Sequence, residues 1–318
     1  MVGTGQFSRV TRGGDASSAN HFQGEDDLQL MQGFLFEPEA MARTELQDAI
    51  ARLDFRGAVH RLEEFRRLWP EAKLIWEPGL IQTGLRLERG PMNLDSGYDI
   101  WQDLQVRFDA LDVPRALTDS MKRNFFLRLL AANHKLFEEP RSAAGRSLGD
   151  FHIFAGQPQS ARRRYEDEVR QLGDGWMLRL KLGNCDFLLG HGPVAHSNYH
   201  WSFILGLPDD HWTCIEDSAF LTRLRITEET EWAFPEMCAV GELPSVRFSS
   251  RSEFEGFKVR FAAAFAEAAT SRRFCLYWIV SENKLFCSDN ELVDARRKLK
   301  ALHPRLHAQY MQRLAQTS

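Results

Sequence analysis

His191, His196 and His200 lie close together in the chain, and His196 and His200 stand four apart, the interval at which two side chains leave one face of an α-helix. Two imidazoles so placed can share a metal ion, and Asp209, Asp210, Glu216 and Asp217 follow closely enough to supply carboxylate ligands. A metal-dependent enzyme using His191, His196 and His200 is therefore one reading. Against it, Ser197 and Asn198 occupy the places where a His-Glu-x-x-His helix keeps its general base. Other chemistry is not announced. Gly3-Thr4-Gly5 lacks the later glycine and the preceding strand of a dinucleotide loop, and there is neither a phosphate-cradling Gly-Lys-Ser/Thr loop nor a Gly-x-Ser-x-Gly elbow.

The segment that positions the histidines is one of two that repeat each other at a spacing of 34 residues. Leu148-Gly149 recurs as Leu182-Gly183, Gly156 as Gly190, Ala161 as Ala195 and Tyr165 as Tyr199. A pair of packed helices needs these residue types at these offsets. The first glycine admits a neighbouring helix, the second ends a helix at a turn, and the alanine sits at the crossing with the tyrosine one turn later on the same face. This run resembles the tetratricopeptide repeat family, with copies at 142–175 and 176–209. The match is partial, since Gly145 and Arg179 hold the family's early tryptophan position and His152 and Asp186 its first aromatic position. A third, weaker copy fits 39–72, with Ala58 at the alanine position and Leu62 at the aromatic one. There Leu53 stands where the turn glycine belongs, and Gly57 is read as breaking the chain instead.

The resemblance implies an all-α fold: antiparallel helix hairpins stacked as a right-handed solenoid, with irregular N- and C-terminal helical caps. It also implies a task, which is to hold a protein or peptide in a concave groove lined by the first helix of each hairpin. Carried over by position, the groove residues are Arg146, Asp150, Phe154, Lys181, Asn184 and Leu188, with His211 if the stack continues. Arg146 and Lys181 could hold a carboxylate, and Asn184 a peptide backbone group. A non-catalytic scaffold or adaptor, without a cofactor, is the leading expectation, with the histidine-cluster enzyme as its alternative.

Composition agrees with a helical chain that is neither strongly basic nor membrane-spanning. The 318 residues carry a net charge of −4, which excludes a general nucleic-acid footprint. Arg162, Arg163 and Arg164 are consecutive, so a helix fans them out, and they read as a solvated surface. The five cysteines, Cys185, Cys214, Cys238, Cys275 and Cys287, are odd in number and contain no Cys-x-x-Cys pair, which favours reduced, mostly buried thiols and a cytoplasmic location. No apolar run is long enough to span a bilayer. The most apolar, Phe274–Val280, is either a buried helix or one strand.

Along the chain we expect a disordered or adaptable N-terminal arm over 1–24, a helical-repeat domain over 25–225 and a C-terminal helical cap or subdomain over 226–318. Pro235, Gly241 and Pro244 mark a hinge or a change of packing between about Thr222 and Ser250. Beyond it, Ser252 to Glu255 and Ser288 to Glu291 have the form of capping boxes, the first opening a helix with Phe254, Phe257, Phe261 and Phe265 on one stripe.

Overall fold

A computed structural model describes residues 37–87, 92–134, 139–227 and 229–317, and the N-terminal arm lies outside that range. The described residues are helical throughout, with one isolated bridge between Arg141 and Ser147 and no strand. None of these helices is long and apolar enough to cross a membrane. The chain divides into two compact units, one built up to residue 89 and from 108–118, the other from 90–107 and 119 onward.

The first unit contains α1 (Pro38–Ala51), α2 (Phe55–Leu68) and α3 (Glu77–Leu87). Leu46, Ile50, Phe55, Ala58, Leu62 and Phe65 close the α1–α2 hairpin over buried apolar surface. Leu53 makes its turn. It takes the left-handed conformation, φ +57°, its N–H donates to the Ile50 carbonyl, and the next N–H, of Asp54, reaches the Ala49 carbonyl. Gly57, expected to break the chain, lies instead in the first turn of α2, where its N–H donates to the capping Asp54 side chain at 3.0 Å. Leu53 thus performs the turn assigned to a glycine, held there by its own burial.

The second unit opens with most of α4 (Leu94–Ala110) and α5 (Arg115–Ala132), followed by α6 (Leu148–Phe154), α7 (Pro158–Leu172), α8 (Trp176–Leu188) and α9 (Gly192–Ile204). These last four form two hairpins with one internal contact in duplicate. A Cβ on Gly149 would meet the Tyr165 ring at 2.3 Å, and one on Gly183 the Tyr199 ring at 2.4 Å. Each tyrosine hydroxyl donates to the residue after its glycine, Tyr165 to Asp150 at 2.6 Å and Tyr199 to Asn184 at 2.9 Å. Ala161 and Ala195 are fully buried at the crossings. Gly156 (φ +69°) and Gly190 (φ +79°) end the first helices with the same pair of backbone bonds seen at Leu53. The 34-residue offset in sequence is therefore an offset between equivalent packing contacts.

The chain continues through α10 (Ser218–Ile226), α11 (Ala233–Val240), α12 (Arg251–Arg260), α13 (Ala262–Glu267), α14 (Thr270–Glu282), α15 (Asp289–Leu302) and α16 (Pro304–Thr317). The stretch expected to be a hinge or a change of packing is instead the middle of the core: Ala233, Phe234, Met237, Cys238 and Ala239 on α11 are buried among Tyr199, Phe220, Phe274 and Trp278. Its proline and glycine delimit a short apolar helix, Pro235 within the first turn and Gly241 at the left-handed C-terminus. One core therefore runs across the division drawn after residue 225. Phe274–Val280 is helical, inside α14, where apolar neighbours on several sides suit a run with no polar face. The aromatic stripe breaks at Phe261 into α12 and α13. The cap of α12 is Ser250, with Glu253 reaching back to Ser249, two residues earlier than expected. The Ser288–Glu291 box forms as read.

Candidate functional site

The residues carried over as groove-facing are mostly bonded within the chain. Arg146 donates to Asp95 and Asp99, each at 2.9 Å, and its guanidinium lies 4.5 Å from the Tyr98 ring centroid. Burial alone would raise the Asp95 pKa, but hydrogen bonds from the Ser142 hydroxyl, the Ala144 N–H and Arg146 hold it below the ordinary carboxylate value. Lys181 reaches both oxygens of Asp150, at 2.7 and 2.8 Å, and so ties α8 to α6. Asn184 donates to the Cys214 carbonyl at 2.8 Å and accepts from the Glu216 N–H at 3.0 Å. Phe154 is clasped by Phe126 and Tyr98, with the Lys122 ammonium 4.4 Å above its ring. His211 bonds its neighbour Asp210 and meets Trp176 edge-on, while Leu188 is exposed. This polar row joins the segment before α6 to α4, α6 to α8, and α8 to the segment 214–216.

The three histidines are directed to three different partners. His191 stands 3.6 Å from Asp186, and His196 Nε2 lies 2.9 Å from Asp217, the residue capping α10. His200, on the same face by spacing, is fully buried, with its Nε2 3.4 Å from Cys238 Sγ. The four-residue interval aligns the two rings along α9, but the flanking helices draw them apart. The group that could converge on one ion, among the described residues, is His200, Cys238 and Cys275, with ligand atoms all within 4.8 Å of one another. Cys238 and Cys275 were legible only as buried thiols. They lie on different helices from His200 and from each other, and no short motif joins them.

Arg162 departs from the solvated reading of the arginine run. It donates to Asp186 at 2.7 Å and pairs with Glu166 at 2.8 Å. Asp186 is fully buried and also accepts from Asn198 at 2.9 Å, so one carboxylate joins α7, α8 and α9. Burial, followed by the nearby Asp186 charge, pushes the Cys185 thiol up to about 12, which keeps it an unreactive core group.

Beside this junction a cleft of about 620 Å³ opens between α7 and α9, floored by α8. Arg162, Glu166 and Arg170 line one wall, Val194 and Trp201 the other, with Arg179 and Leu182 from α8. Arg179 is held by Asp174 and Asn198 and lies 6.0 Å from the Trp201 ring. Arg170 and Val194 are exposed at the rim. Comparison with family models, curated proteins and solved structures returned no match to this chain.

Proposed function

We propose that this protein is a non-catalytic scaffold, built on tetratricopeptide-like hairpins stacked as a right-handed solenoid, that holds a protein or peptide. The observation that supports this most is the duplicated Gly–Tyr contact of α6–α7 and α8–α9, because repeating one hairpin contact lays successive helices side by side and leaves open faces between them. The docking face in this reading is the cleft between α7 and α9, with exposed Arg170 and Val194 at its rim, and not the row of Arg146, Lys181 and Asn184, which is bonded within the chain. The cleft presents exposed Arg170, ion-paired with Asp167, beside Trp201 and exposed Val194, while Arg162 and Arg179 are held by Asp186 and Asp174. Arginine and tryptophan are the side chains that dominate binding energy at protein interfaces. An acidic peptide segment with an apolar anchor is the occupant this chemistry suits.

Panning a displayed random-peptide library over the whole chain tests the reading. Acidic sequences should be enriched, and their capture should fall at least tenfold on R170E/V194D, a variant changed only at exposed positions. Enrichment without acidic bias, or capture untouched by that variant, would remove the assignment. The enzyme reading on His191, His196 and His200 gains no support from the separate partners of these rings.

A further inference from the structure

We infer that His200, Cys238 and Cys275 form a binding site for a thiophilic divalent cation, Zn²⁺ in the first instance. The three residues come from α9, α11 and α14, helices far apart in sequence, and all three are completely buried. Cys238 Sγ stands 3.4 Å from His200 Nε2 and 3.9 Å from Cys275 Sγ. Tetrahedral zinc, with Zn–S of about 2.3 Å and Zn–N of about 2.0–2.1 Å, sets neighbouring ligand atoms about 3.8 Å apart for two sulfurs and about 3.6 Å for sulfur and nitrogen. These two separations approximate two edges of such a coordination sphere, and the third, between His200 and Cys275, lies within 4.8 Å before any movement of the helices.

The surroundings leave these groups little other use. His200 lies near-parallel to Phe234, at 6.3 Å between ring centroids, and inclined to Trp278 at 5.6 Å. Its Nδ1 is buried and has no hydrogen-bond partner. Thiols are weak donors and weak acceptors, so the contacts within the cluster repay little of the cost of burying a polar ring among aromatic side chains. A soft cation converts the same contacts into coordinate bonds and selects thiolate with imidazole over the carboxylates elsewhere on the chain. Binding as two thiolates releases both thiol protons to water, and no oxidant takes part. The ion would pin α9, α11 and α14 together at the centre of the largest core, with one corner of its tetrahedron not filled by these three side chains.

Because the site is closed, loading belongs with folding. The whole chain, unfolded and refolded under reducing conditions with zinc or cobalt(II) and then desalted, is expected to retain one ion per chain. The cobalt form should show thiolate-to-metal charge transfer and the ligand-field bands of a tetrahedral site. H200A and C275S should each lower retained metal at least tenfold, whereas H196A, which removes the ring held by Asp217, should keep it. X-ray absorption on the wild-type zinc form reads the ligands without any variant and should find two sulfurs and one imidazole nitrogen next to the metal. A wild type that refolds metal-free, a zinc environment lacking sulfur, or loss of metal in H196A with retention in H200A would each overturn the proposal.

Discussion

Gly183 and Gly190 differ in what a methyl group would meet, and this separates two reasons for keeping a glycine. At Gly183 the added carbon would sit 2.4 Å from the buried Tyr199 ring and 3.2 Å from the Ala195 carbonyl, so helices α8 and α9 would have to part. At Gly190 the space is open and the strain lies in φ +79° alone. Overpacking a rigid crossing costs about 1–3 kcal/mol, and we expect Gly183→Ala at the upper end of that range. A left-handed non-glycine costs about 1 kcal/mol, which is the loss expected for Gly190→Ala. Chemical denaturation of both variants checks the order, and equal losses would contradict the packing account. These positions were legible in sequence because type and spacing together define a hairpin contact. Leu53 was not, since a leucine announces no left-handed turn, and only its burial and the bonds at Ile50 and Ala49 reveal one.

Among the elements, α7, α8 and α9 depend on a group that looks foreign to a helical repeat. Asp186 stands where the resembled family keeps an aromatic, yet it is fully buried and accepts from Arg162 and Asn198. Removing one member of a buried ion pair costs about 3–5 kcal/mol, and partial exposure of Arg162 reduces this to about 2 kcal/mol for Asp186→Ala. Thermal unfolding should detect that loss together with weaker protection of α7. A variant as stable as the wild type would show that the junction is solvated. The Ser288 cap was legible because a capping box is a local signal, whereas the apolar run Phe274–Val280 left helix and strand both open until its packing within α14 decided between them. Sequence periodicity misplaced α11, since Pro235, Gly241 and Pro244 read locally as a hinge or a change of packing while the residues between them are recruited by core contacts from α9, α10 and α14. Misreading α11 also hid Cys238, and with it the cysteine–histidine cluster.

For the molecule as a whole, the duplicated contact accounts for the pairing of α6 with α7 and α8 with α9, and the site depends on how the helices spend their polar groups. The row Arg146, Asp150, Lys181 and Asn184 was identified by position, but position could not disclose that α4 supplies the partners of Arg146, that Asp150 and Lys181 pair with each other, or that the segment at Cys214 takes Asn184. The cleft between α7 and α9 arises only when two second helices flank α8, so no single stretch of sequence displays it. The most direct measurement of the scaffold claim is amide hydrogen exchange on the whole chain with and without a peptide enriched by panning. The account predicts slowed exchange within Pro158–Leu172 and Gly192–Ile204 and none specific to Leu148–Phe154. Protection confined to Leu148–Phe154 and the first half of α8, or absent from both second helices, would contradict it.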